Sequence, residues 1–122
     1  MPILTTRLRS PLGGDLPFHL VSAATTNATL VKAGGTLLKG WALTNTNAAI
    51  RYIAFHDLGR VPVGGQNVYF KYGIPASGAS NQYFGDGIQF FQGLALTLVA
   101  ASADSDATAV GSGDLLVNLF YV

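Results

Sequence analysis

Residues 29–57 read TLVKAGGTLLKGWALTNTNAAIRYIAFHD, and this stretch decides the fold class. Thr29 to Ala33 is a short run of strand formers that stops at Gly34-Gly35, a hairpin-type pair. Thr36 to Asn45 follows as a longer strand, with Leu37, Lys39, Trp41 and Leu43 in one phase. Thr44-Asn45-Thr46-Asn47 is a turn, because Asn tolerates left-handed backbone and its side chain mimics a turn. Ala48 to Asp57 then alternates, with Arg51, Ile53 and Phe55 on one side and Ile50, Tyr52, Ala54 and His56 on the other. Period-2 runs broken by Gly and Asn are the mark of antiparallel strands.

The same grammar continues to the end of the chain. Leu58 to Asn67 is a loop, with Gly59, Pro62 and Gly64-Gly65, and Val68 to Ile74 a strand. The small residues of Pro75 to Gln82 predict another loop. Ile88 to Phe91 and Leu94 to Ala100 are strands separated at Gly93, Ala101 to Gly113 is a polar loop, and Leu115 to Tyr121 closes the chain. That last strand is apolar in both phases, which predicts burial on both faces, inside a sandwich or against another subunit. Residues 1–20 carry three prolines and a Gly-Gly pair without a sustained period, and read as an extended arm. The expectation is therefore an all-β protein: an antiparallel β-sandwich of about eight strands over 21–122, preceded by an N-terminal arm over 1–20.

Composition agrees with the strand reading. In 122 residues, 7 are Lys or Arg and 6 are acidic, so only 11% are charged, against roughly 25% in an average domain. All the acids are Asp; with no Glu, helical solvent faces lack their usual residues. A net charge of +1 gives no electrostatic footprint for nucleic acid. No apolar run is long enough to span a membrane as a helix, and the proline- and glycine-broken N-terminus lacks the apolar core of a secretory signal. With no cysteine there are no disulfides, thiolate metal sites or cysteine nucleophiles.

Catalytic and metal-binding constellations are thin. His56 and Asp57 are adjacent on a strand and point to opposite faces, poor geometry for a base and its orienter; His56 reads as a surface or interface histidine. No Gly-x-Ser-x-Gly elbow is present. Asp104 and Asp106 with Asp114 supply oxygen ligands of the kind calcium takes, but lack the order of an EF-hand, and a turn is the simpler reading. Asp57 and Asp86 would be the carboxylates of a hydrolase, although the glycines beside Asp86 favour a tight turn. Tyr52, Tyr69, Tyr72, Tyr83, Phe84, Phe90 and Phe91 make an aromatic-rich middle, read as core and interface before a sugar platform. These residues predict no enzyme, no cofactor and no metal.

Several runs carry a family resemblance: 21–34 (VSAATTNATLVKAG), 40–52 (GWALTNTNAAIRY), 87–90 (GIQF), and the closing Ala103-Asp104-Ser105-Asp106 with 113–121 (GDLLVNLFY). Across residues 21–122 the chain resembles small structural proteins of tailed bacteriophage virions. The resemblance implies a jelly-roll-like sandwich used for capsid decoration (cement) or as a head, neck or tail appendage. It implies the major capsid protein or other virion proteins as partners, a homo-oligomer with a trimer favoured, and location in the phage particle. In that setting Leu4, Arg7 and Arg9 of the arm are the expected partner contacts. Leu116, Asn118 and Phe120, the solvent phase of the last strand, are the expected oligomer interface. The alternative role is a neck, tail or fibre component that binds carbohydrate or a host receptor through the tyrosine-rich middle.

Overall fold

Strand formers alternate in phase through most of this chain, and the computed structural model, which describes residues 13–122, turns them into eight strands with no helix among the described residues. They are β1 (Leu16–Val21), β2 (Thr29–Ala33), β3 (Thr36–Asn45), β4 (Arg51–Asp57), β5 (Phe70–Ile74), β6 (Gly78–Phe90), β7 (Gly93–Val99) and β8 (Leu115–Tyr121). Sheet A has the order β1-β8-β3-β6 and sheet B the order β2-β7-β4-β5, with every pairing antiparallel. The pairs nest: first strand with last, second with seventh, third with sixth, fourth with fifth. A ribbon of nested antiparallel pairs rolled into two facing sheets is a jelly roll.

The core lies between the sheets. Leu38, Trp41 and Leu43 from β3 and Leu115, Val117 and Leu119 from β8 meet Ile53 and Phe55 from β4 and Leu94, Leu96 and Leu98 from β7. Its centre is aromatic. The Trp41 indole stacks on Phe55 with centroids 5.6 Å apart and takes the edge of Phe84 at 4.9 Å, while Phe70 stacks on the far side of Phe55 at 4.7 Å. Such pairs add roughly 0.5–1.5 kcal/mol each beyond their area burial.

A β-bulge sets the phase of β3. Leu38 pairs with Ile88 and Gly40 with Tyr83, so residues 84–87 of β6 stand opposite Lys39 alone. Leu38 and Trp41 therefore both point inward, and the uniform alternation expected for Leu37, Lys39, Trp41 and Leu43 is broken. Gly40 is what permits this. A Cβ there would lie 2.6 Å from the carbonyl oxygen of Gln82 and 3.3 Å from Cα of Tyr83.

Other boundaries also move. The sandwich begins at Leu16, inside the expected arm, because Leu16, Phe18 and Leu20 face inward opposite Tyr121, Leu119 and Val117. Pro17 is tolerated because β1 is an edge strand. The expected loop at 75–82 is largely strand: β6 starts at Gly78, and Ser80, on its inward face, sits 2.8 Å from the Tyr72 hydroxyl and 3.4 Å from Trp41 Nε1. Pairing with β3 there overrides the weak strand propensity of small polar residues. β4 starts at Arg51 rather than Ala48 and β5 at Phe70 rather than Val68. β8 is buried on one face only, with Leu115, Val117 and Leu119 inward and the other phase half-exposed.

Trp41→Ala should lower stability by about 3–5 kcal/mol through the cavity it leaves. Gly40→Ala should cost about 1–3 kcal/mol by overpacking the β3–β6 pair. Urea unfolding midpoints of both variants against the parent check the two values.

Candidate functional site

The two outer faces of the sandwich differ. On sheet B, Ala54 and His56 of β4 and Ala95, Thr97 and Val99 of β7 point outward, yet each is at most 1% exposed. The connections at 58–69 and 100–114 fold over that face and meet there: a Cβ on Gly65 would lie 2.5 Å from the carbonyl oxygen of Ser105, and one on Gly64 3.3 Å from Cβ of Ala107. Among the described residues, sheet A has no such cover. Directly opposed residues share a face, so the register sets out three outward rungs across four strands. They are Pro17, Phe120, Gly40 and Tyr83; His19, Asn118, Ala42 and Asn81; and Val21, Leu116, Thr44 and Ala79. Leu37, Val122 and Gln89 extend the face at the end where the chain terminates.

This face is apolar and amide-rich, and nearly uncharged. Val21 is 51% exposed and Tyr83 65% exposed. The Nδ1–H of His19 donates to Oδ1 of Asn118 at 2.7 Å, and Nδ2 of Asn118 donates to the Ala42 carbonyl at 3.3 Å, which ties β1, β8 and β3 across the middle rung. Lys39, beside the bulge, donates to the Gly85 carbonyl at 2.7 Å and sits 5.9 Å from the centroid of the Tyr83 ring. Two shallow, open depressions lie at the two ends of the face. One is lined by Thr44, Asn45, Thr46, Ser77, Gly78 and Ala79, the other by Gly35, Thr36, Leu37, Gln89 and Val122.

The structure brings the expected interface residues Leu116, Asn118 and Phe120 together on this one face, each half-buried. Leu4, Arg7 and Arg9 lie outside the described residues. Strand alternation in β8 alone identifies the first three. Val21, Ala42, Asn81 and Tyr83 join them only through the β1–β8–β3–β6 order, and for Asn81 and Tyr83 alternation along 79–83 is the local signal.

Of the residues weighed for chemistry, His56, Asp57, Asp106 and Asp114 have structural partners, whereas Asp86 is exposed. His56 is buried rather than a surface or interface histidine. Its Nδ1–H donates to the Asn67 carbonyl at 3.1 Å, and its Nε2 accepts from the Thr97 hydroxyl at 2.9 Å, which is the neutral tautomer. Burial holds its pKa below the ordinary value. Asp57 accepts the backbone N–H of Gln92 at 2.7 Å and of Gly93 at 3.3 Å, fixing the β6–β7 turn. Asp106 accepts the Thr108 hydroxyl at 2.7 Å, and this bond lowers its pKa. Asp114 accepts the Gly111 N–H at 2.7 Å, which is the main cause of its lowered pKa, and lies 3.7 Å from Arg51 Nε. Among the described residues no three His, Cys, Asp or Glu side chains gather as a metal site. Tyr69 bridges the edges of the two sheets, its hydroxyl donating to Gln89 at 3.0 Å, so it shares no platform with Tyr83.

No protein-family model, curated protein or solved structure matches this chain.

His56 generates a pH prediction. Its folded pKa lies below the ordinary 6.5, so below that pH the unfolded chain binds the extra proton and the folded state loses stability. The urea midpoint should fall as pH drops from about 7 to about 5. His56→Gln should be less stable at neutral pH and lose most of that slope. The lowered pKa values of Asp106 and Asp114 act in a separate window, their contribution disappearing as pH falls through and below the ordinary carboxylate value of 3.8.

Proposed function

We propose that this chain is a non-enzymatic structural protein of a bacteriophage virion. In this reading it is a capsid decoration (cement) protein that binds the head lattice as a homo-oligomer, with a trimer favoured. The observation that carries the reading is the asymmetry between the sheets: one outer face is sealed by the chain's own loops, while the other, among the described residues, is open, apolar and almost without charge. Such a surface gains free energy by packing against protein, and it carries little charge to repel a second copy. The jelly-roll strand order and the resemblance to virion proteins support the same reading. The major capsid protein is the proposed lattice partner.

A neck, tail or fibre role with carbohydrate or host-receptor binding is the second reading. It draws on Tyr83, whose exposed ring stands beside Lys39 and, one rung along, Asn81, an aromatic surface with amide and ammonium donors in reach.

Quantitative mass spectrometry of purified virions separates the two. A copy number comparable to that of the major capsid protein is expected. A handful per particle would move the chain to the neck, tail or fibre, and its absence from the particle would overturn the virion assignment. In solution, Leu116→Asp and Phe120→Asp should each weaken self-association by roughly a hundredfold, about 3 kcal/mol, by burying an unpaired charge. Light scattering reads the oligomer, and an unchanged urea midpoint confirms that the fold is retained.

A further inference from the structure

The depression lined by Gly35, Thr36, Leu37, Gln89 and Val122 lies on the open face of sheet A, at the end where the chain enters the fold. Leu16 pairs with Tyr121, which places Asp15 beside Val122; Val122 in turn exchanges hydrogen bonds of 2.9 and 3.0 Å with Leu37. Residues 1–12 therefore precede the fold at the edge of the very sheet that carries the depression. A Cβ on Gly13 or Gly14 would meet nothing within 4 Å, so the side of the chain that a side chain would occupy is open at both positions. Gly13, at φ +86°, sets a direction that few other residues allow. Twelve extended residues reach about 40 Å, whereas the chain's own depression is two or three strand spacings away, about 10–14 Å. That reach takes in a neighbouring copy as well as the chain's own depression.

Area and charge point to a neighbouring copy. Four strands by three or four rungs present a footprint of about 400 Å², half of the ~800 Å² that each partner of a stable interface buries. The face alone falls short, and an added segment would make up the difference. Residues 3–9 supply Ile3, Leu4 and Leu8 for the apolar floor, and Arg7 and Arg9 for charge. The carboxylates nearest this end of the face, Asp15 and Asp86, are both exposed, while the two lysines there, Lys32 and Lys39, are each held on a backbone carbonyl, of Gly35 and Gly85.

We propose that this depression is the seat of the N-terminal segment of a second copy, with residues 3–9 crossing from one protomer onto the next. Leu4 packs on Leu37 and Val122, and the arginines face Asp86. The assignment rests on the homo-oligomer reading above and adds to it where the arm lands.

The absence of native cysteine makes a clean test possible in the full-length chain. Leu4→Cys and Leu37→Cys proteins are purified separately, mixed, and oxidised mildly. A mixed covalent dimer carrying one of each is expected as the main product, and Leu4→Cys mixed with Gln89→Cys repeats the test from the other side of the seat. Like-with-like dimers alone, or no cross-link in either mixture, would overturn the seat. A chain carrying both Leu4→Cys and Leu37→Cys that closes an intrachain disulfide at high dilution would overturn exchange in favour of the chain's own arm. Light scattering on the unsubstituted protein keeps the two readings apart. An oligomer without mixed cross-links overturns only the seat, and a monomer overturns the oligomer as well.

Discussion

The close approach of β3 to β6 at Gly40 is the constraint on which the rest depends. Without a Cβ, the backbone of Gly40 can lie against Gln82 and Tyr83, and one residue of β3 can face four of β6. That mismatch turns Leu38 and Trp41 to the same side. Trp41 then reaches Phe55 across the sandwich, and the aromatic stack that joins the sheets forms around it. The same bulge interrupts the pairing of the edge strand at residues 84–87, with Gly85 and Gly87 in left-handed backbone. An edge interrupted in this way is a poor template for a further strand. Growth of sheet A past β6 is therefore disfavoured, whereas its outer face is open among the described residues.

Most polar groups inside the molecule are matched to partners; Arg51 Nε, without a hydrogen bond and 3.7 Å from the Asp114 carboxylate, is an exception. Asn45, 1% exposed, donates to the carbonyls of Ala49 and Ile74 and accepts from the N–H of Asn47, closing the β3–β4 turn onto β5. Ser22 donates to Gly111 and accepts from Leu115, holding the end of β1 to the start of β8. His56 and Thr97 satisfy one another beneath the loop that carries Asn67. These bonds fix the loops over sheet B and so create the contrast between a covered and an open face. A buried polar group left unmatched costs more than a typical bond gains, so each acts as a specificity device for its loop.

Much of the fold is legible in the sequence because local alternation and turn residues agree with the final topology. The runs 29–33, 36–45 and 115–121 are strands with the expected ends. What escapes local reading is set by partners far along the chain. The small residues of 78–82 become strand because β3 supplies the ladder, and the phase of β3 shifts because of a bulge whose other half lies in β6. His56 is buried by a loop whose cover follows from no period in the sequence. The candidate face divides similarly. Leu116, Asn118 and Phe120 follow from alternation in one strand, whereas Val21, Ala42 and Tyr83 need the strand order before they can be placed beside them.

Nested pairing has a consequence for how the chain is made. β8, the last of the eight strands along the chain, sits between β1 and β3 and links them within sheet A. Until β8 has been synthesised, β1 lacks its neighbour in sheet A and the aromatic core lacks its floor of Leu115, Val117 and Leu119. The decisive step of folding therefore waits on the last of the eight strands and is dominated by distant pairings, which makes β-proteins slow to fold. During that interval the apolar strands β3 and β7 are exposed together, and the nascent protein is at its most vulnerable to aggregation.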